Sequence, residues 1–363
     1  MTDTGRTPTA AVVGAGLMGG SLGLALRAQG WFVSGSDIDE ARAVRGVELG
    51  AFDATQPSSG TMIADVTFIC TPVLSVAELA RAALAANPNA VVTDIGSVKG
   101  PVVAAVDHPR FVGGHPMAGS ELDGIEGASA TMFKDRTWVL TPTERTDPDA
   151  YSRLHTVIAS LGATVVSVEP DAHDALVAVV SHVPHLAAAT LMDLASGRAE
   201  EHTTLLRLAA GGFRDMTRIA AGHSSIWLDI CAQNRAAIVS TLDELILGLS
   251  RMRNVVDSSD RDALRTVLDR ARLARVNLPT GAPPVEDLAD VRVPIPDRPG
   301  VIAEITTLAS ALGVNIYDIE MTHSIEGDEG VLVMVVAAAL TDLFRGGLLA
   351  KKFRPSVSSL SQS

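Results

Sequence analysis

Cysteine is nearly missing: two in 363 residues, Cys70 and Cys231, each inside an apolar run. That excludes a disulfide framework and leaves two buried free thiols, as in a reducing compartment. Aromatic residues reach only 4%, yet 47% of the chain is hydrophobic, mostly Ala, Val and Leu spread along its length. This is a globular composition, and 363 residues exceed what one core organises, so two or three domains are expected. No apolar stretch reaches the roughly 18 residues of a membrane span. Met1 to Pro8 is polar, without a signal-peptide core, so the expected location is the cytoplasm with no membrane partner. Positive charge is also short: 29 Lys and Arg against 42 Asp and Glu, a formal charge of -13. Without a basic run interleaved with aromatics, such a chain repels nucleic acid. A small anionic ligand would need locally placed arginines or helix N-termini.

What is present falls into three patterns. From Thr9 to about Ser167, short apolar strands alternate with amphipathic helical segments. That alternation implies right-handed crossovers and a mainly parallel sheet, an α/β domain over 1–169. From Pro170 the strand signal ends, and Ala/Leu-rich helical patterns cover Asp171 to Ala195, Ser224 to Met252 and Asp260 to Arg275. An all-α domain over 170–276 with such wide apolar faces needs partners, and a homodimer supplies them. Asn277 to Asp287, NLPTGAPPVED, has linker composition. A third, α+β domain follows over 288–357, with strands at Val291 to Ile295, Val314 to Met321 and Gly330 to Ala338. Its helices run from Val301 to Leu312 and, interrupted by glycine, from Thr341 to Lys352; its last strand is expected at Phe353 to Val357.

Gly14-Ala15-Gly16-Leu17-Met18-Gly19 directly follows the strand Ala10 to Val13 and opens a helix. In this context Gly14 permits the tight turn, Gly16 lets backbone approach a pyrophosphate, and Gly19 lets helix and strand pack closely. The N-H groups of Leu17 and Met18 belong to the helix N-terminus that faces the phosphates. Asp37 closes the next strand, about 20 residues on, where a carboxylate accepts from ribose hydroxyls and repels a 2′-phosphate. The N-terminal domain is therefore expected to be Rossmann-type, with NAD as cofactor. Thr71, Pro72 and Asp94, after the next strands, are further candidate cofactor contacts.

Two loops are expected beyond strand ends, Thr93 to Gly100 and Val112 to Glu121, carrying Ser97 and His115. Oxidising an alcohol requires a hydride acceptor and a proton acceptor, and neutral imidazole serves the latter near pH 7. In Val180-Ser181-His182-Val183-Pro184-His185, Pro184 should kink the first long helix, and Ser181 and His185 stand four apart. His182 and His185 lack a third ligand at metal-binding spacing, so no metal is expected. Gly211 to Ala220 places Arg214, Asp215 and Arg218 beside glycines, ahead of Trp227. A guanidinium suits a dicarboxylate inside an acidic protein.

Together GAGLMGGSL, TDIGSVKG, FVGGHPMAGSE, SHVPH, GGFRDMTRIA and the Trp227 segment resemble the prephenate/arogenate dehydrogenase family of tyrosine biosynthesis, from about Ala10 to Leu249. The resemblance implies an oxidoreductase in which His115 hydrogen-bonds the ring C4 hydroxyl and accepts its proton, oriented by Ser97. It further implies that Arg218 holds a substrate carboxylate, that Ser181, His185 and Trp227 line the pocket, and that Glu121 and Asp215 lie near its entrance. VRVPIPDRPGVIAEIT separately resembles an ACT domain, a βαββαβ module that binds amino acids. It implies a tyrosine effector, with Asp297, Gly300 and Asn315 as contacts.

Within this family the substrate alternatives are prephenate, converted to 4-hydroxyphenylpyruvate, and arogenate, which carries an amine in place of the keto group. A non-catalytic NAD or amino-acid sensor would not need His115, Ser97 and Arg218. A 3-hydroxyacid type dehydrogenase would need a lysine on the first interdomain helix, and Asp171 to Ala195 contains none.

Overall fold

The computed structural model describes residues 6–56, 64–119, 122–199, 205–222, 224–277, 288–296, 298–323 and 329–359. Two compact units divide the chain, Met1–Arg251 and Met252–Ser363.

The first unit starts with β1 (Thr9–Val13), α1 (Leu17–Ala28), β2 (Phe32–Ser36), α2 (Glu40–Glu48), β3 (Ala54–Thr55), β4 (Val66–Ile69) and α3 (Val73–Ala86). It continues through β5 (Val91–Asp94), α4 (Gly100–Val106), β6 (Phe111–Pro116), β7 (Thr137–Thr141), α5 (Pro148–Ser160) and β8 (Thr164–Ser167). The eight strands form one sheet in the order β3-β2-β1-β4-β5-β6-β7-β8. Chain order reverses beside β1, and ligand crevices open outside the strand carboxyl ends at such a point. Strands β1, β4 and β5 are mostly apolar and buried along their centres, as sheets covered on both faces require.

Two details depart from expectation. The two-residue strand β3 lacks a periodicity signal. More important, β6 runs on through Pro116, so His115 sits in a strand and not on a loop. Antiparallel pairing with β7 extends it, aligning Gly114 with Leu140 and His115 with Val139.

Helices follow: α6 (Pro170–Val177), α7 (Val183–Ala199), α8 (Gly211–Thr217), α9 (Ser224–Gln233) and α10 (Arg235–Asp257). Between α6 and α7 the backbone makes a π turn over Ala178–His182. Pro184 removes the N-H that would bond four residues back, and a widened turn is how a helix absorbs that loss. The run Pro170–Arg198 is long and apolar enough by composition to cross a membrane. The expectation that no segment reaches that length is corrected here, although this run buries His173, Asp174 and His182 within the unit. The expected helix Ser224 to Met252 is interrupted at Asn234, between α9 and α10.

In the second unit α11 (Arg261–Val276) is capped by Asp260, whose side chain accepts from Ala263 N-H. Then come β9 (Leu288–Pro296), α12 (Val301–Ala311), β10 (Ile316–His323), β11 (Glu329–Ala337), α13 (Thr341–Ala350) and β12 (Ser356–Ser359). The sheet order is β10-β11-β9-β12, all antiparallel. Alternate residues Val291, Val293 and Ile295 of β9 meet Ile305, Phe344 and Leu348 in one core. The last strand lies three residues beyond its expected start at Phe353, because Phe353 turns into this core. Glycine does not break α13: a Cβ at Gly347 would strike Leu312, so the glycine admits close helix packing.

Candidate active site

Parallel strands deliver the expected cofactor residues to one sheet edge. Gly14, Gly16, Leu17, Met18 and Gly19 form the turn from β1 into α1; Thr71 and Pro72 link β4 to α3. Gly14 has φ +107°, and a Cβ there would strike the Cys70 carbonyl; one on Gly19 would strike the Gly14 carbonyl. A Cβ on Gly16 would meet nothing within 4 Å, so the turn presents open backbone at that point. No side-chain cap closes the α1 N-terminus and no acidic residue stands in its first turn. Asp37 tethers the turn by accepting from Ala15 N-H at 2.7 Å. The cap of α2 is Asp39, whose side chain accepts from Ala41 N-H. The buried Thr71 hydroxyl beside this turn has no hydrogen-bond partner among the described residues. An open glycine turn, an uncapped helix and an orphaned hydroxyl fit a dinucleotide pyrophosphate.

Asp94 was expected as a cofactor contact, and the structure gives its carboxylate other partners. It is fully buried, pairs with Lys99, and accepts from Gly96 N-H at 2.9 Å and Gly114 N-H at 3.2 Å. Lys99, equally buried, also donates to the Gly114 carbonyl at 2.8 Å. This pair ties the end of β5 to β6 and leaves no exposed carboxylate for a ligand. Burial pushes the Lys99 pKa down, and the Asp94 carboxylate opposes that shift.

His115 is 8% exposed. Its Nδ1 lies 2.9 Å from His173 Nε2, and His173 Nδ1 lies 2.8 Å from Asp174 Oδ1. Asp174 in turn accepts from Lys99 N-H at 2.7 Å and Gly100 N-H at 2.8 Å. Ser97 was expected to orient His115; among the described residues it makes no hydrogen bond, and His173 holds that position instead. Desolvation drives the His115 pKa well below the usual imidazole range, helped by the Lys99 cation and by His173 and His182. The ring is therefore neutral at pH 7.

On the helical side, His185 stacks on Trp227 with centroids 3.6 Å apart, while His182 meets the same indole edge-on at 6.0 Å. His182 Nδ1 takes a hydrogen bond from Asn234 Nδ2 at 3.1 Å, and its buried Nε2 has no partner among the described residues. Burial lowers the His182 pKa to about 4. Ser181 lies in the π turn, partly exposed. Arg218 begins the 3-10 turn Arg218–Ala221 after α8; Gly222, next along, would place a Cβ 3.5 Å from His185 Cε1. Asp215 is exposed on α8. Val73, after Pro72, packs with Val98 and Trp227 in one cluster, which joins the cofactor edge to this histidine-tryptophan group. Glu121 lies outside the described residues.

His173, Asp174, Lys99 and Asn234 escaped sequence reasoning. The first two stand in Pro170-Asp171-Ala172-His173-Asp174, an ordinary helix start, and only the packing of α6 on α4 reveals them.

Strand order and glycine turn thus define a Rossmann-type dinucleotide-binding protein with a helical domain behind it. Two family models match: prephenate dehydrogenase, nucleotide-binding domain, over residues 22–167, and prephenate dehydrogenase, dimerization domain, over 169–270. The prephenate dehydrogenase of Bacillus subtilis (strain 168) is 35% identical over 89% of this chain and 91% of its own. Among solved structures, prephenate dehydrogenase from A. aeolicus, in complex with hydroxyphenyl propionate and NAD+, superposes with TM-score 0.71. Its identity is 30%, covering 75% of this chain and 98% of that one. Synechocystis arogenate dehydrogenase gives TM-score 0.65 at 29% identity, covering 74% and 98%. The chain belongs to the prephenate dehydrogenase family.

Proposed function

We propose that this chain is an NAD-dependent prephenate dehydrogenase, with His115 as the proton acceptor. The observation that carries the assignment is a neutral, buried imidazole at the carboxyl end of β6, on the sheet edge that also carries the open Gly16 turn. Bound NAD supplies a hydride acceptor for carbon C4 of the cyclohexadienol ring. Nε2 of His115 takes the C4 hydroxyl proton as the C-O bond gains carbonyl character. Loss of the ring carboxylate as CO2 then aromatises the ring, and the same imidazole returns the proton to the phenolic oxygen. Arg218 binds a substrate carboxylate bidentately, His185 and Trp227 wall the ring, and Ser181 and Asp215 flank them; Ser97 contacts substrate or nicotinamide and not His115. Asp37 selects NAD over NADP.

The wider reading is a cytoplasmic homodimer whose βαββαβ domain is an ACT-like tyrosine sensor. Ile226, Leu228, Ile246, Leu247 and Leu249 of α9 and α10 are all more than half exposed, which supports a second copy as their cover. Of the effector residues, Asp297 lies outside the described residues. Gly300 and Asn315 stand beyond opposite ends of α12, roughly 16 Å of helix rise, so an effector would touch only one of them per chain.

Spectrophotometry of NADH formation tests the assignment, with prephenate and arogenate compared side by side. Turnover with prephenate and its loss in His115→Asn are expected. A higher kcat/KM with arogenate would move the assignment to the reaction of the Synechocystis relative, and near wild-type turnover in His115→Asn would remove the histidine's role.

A further inference from the structure

A proton acceptor must present a lone pair, and a neutral imidazole has that lone pair on only one of its two nitrogens. We propose that His173 and Asp174 are positioning residues that set the tautomer of His115, holding its proton on Nδ1 and its lone pair on Nε2, toward the reactants. This rests on the reading of His115 as proton acceptor.

With one ring proton on His173, the donors and acceptors leave one consistent assignment. Both Asp174 oxygens already accept backbone N-H groups, Oδ1 from Lys99 and Oδ2 from Gly100. The carboxylate therefore acts as acceptor toward His173 as well, so His173 Nδ1 donates to Oδ1 at 2.8 Å. That single proton is then on Nδ1, and Nε2 carries the lone pair. That lone pair faces His115 Nδ1 at 2.9 Å, so His115 Nδ1 must donate. The reverse assignment sets His173 Nδ1 and Asp174 Oδ1 as two acceptors face to face. His115 is left with a bare Nε2, the form a base requires.

The arrangement is also stiff. His173 and Asp174 are 1% and 7% exposed, and α6 is further held by Asn234, whose amide donates to the Asp174 carbonyl at 2.8 Å. The same Asn234 nitrogen lies 3.1 Å from His182 Nδ1, so the neighbouring histidine has the opposite tautomer, with its proton on Nε2. His115 and His182 thus take opposite tautomers, one set by Asp174 through His173 and the other by the Asn234 amide.

The test joins a spectroscopic and a kinetic readout on the full-length enzyme. Nitrogen-15 NMR of histidine-labelled protein, with the His115 ring assigned by its loss in His115→Asn, should show His115 protonated at Nδ1 near pH 7.5. Asp174→Asn puts an amide against His173 Nδ1 and allows the chain of bonds to invert, so kcat should fall by about 100-fold or more while KM for NAD and prephenate moves less than about threefold. His173→Phe should behave likewise. His173→Gln, whose amide can accept from His115 and donate to Asp174, should recover kcat to within about tenfold of wild type. An Nε2-protonated His115 in the wild-type spectrum would overturn the proposal even if no variant folds. So would wild-type kcat in both His173→Phe and Asp174→Asn. If instead His115→Asn itself keeps its turnover, the proton-acceptor reading fails, and that outcome is distinct from the failure of the relay alone.

Discussion

The proposed reaction turns on a single buried ring. His115 is pressed toward neutrality by desolvation first, then by Lys99, His173 and His182, while Lys99 itself is paired with the Asp94 carboxylate. Because its pKa lies below the ordinary value, the base form persists as pH falls through 6.5; kcat/KM should stay level across that range and decline only below it. A profile that halves near pH 6.5 would contradict this. The same displacement affects stability. His182, lowered to about 4, and His115 stay neutral in the fold while their unfolded counterparts take up protons near 6.5, so stability drops as pH falls from 6.5 toward 4. Thermal midpoints across that window should fall, and less steeply in His182→Gln. Lys99→Met leaves Asp94 buried without its cation and should cost roughly 3–5 kcal/mol in denaturant unfolding.

At the scale of elements, the glycine turn separates fold from ligand. Gly19→Ala forces a methyl onto the Gly14 carbonyl and should lower the thermal midpoint as well as NAD binding. Gly16→Ala meets only open space, so its midpoint should match wild type while NAD affinity, read by fluorescence titration, falls at least about tenfold. Equal loss of stability in both variants would mean that Gly16 does not face the cofactor. Most elements were legible in the chain because their signals are local: an apolar run after a turn for β1, the glycine turn for α1, alternation for β9. The extension of β6 was not, since the pairing that lengthens it comes from β7, more than 20 residues away. The π turn before Pro184 was half legible: the proline announced a disturbance, and the chain's own packing chose its form.

For the whole molecule, the exposed apolar residues of α9 and α10 set the expectation of a dimer. Leu247→Glu introduces a charge into that face and should shift light-scattering mass from dimer to monomer, with activity falling in step if the dimer supports the site. The βαββαβ module of the second unit is expected to bind tyrosine, and a calorimetric titration of the intact protein without heat of binding would remove that role.

The sequence by itself determined the class of fold, the cofactor turn and the family, because each is written in residues adjacent along the chain; it also nominated His115, Arg218 and the SHVPH histidines as candidates. Only the tertiary structure decided what stands behind His115. His173 and Asp174 are 58 and 59 positions away from it in sequence, and a hydrogen-bonded relay has no period or spacing to read; it exists once α6 packs against α4 and brings the three side chains into contact.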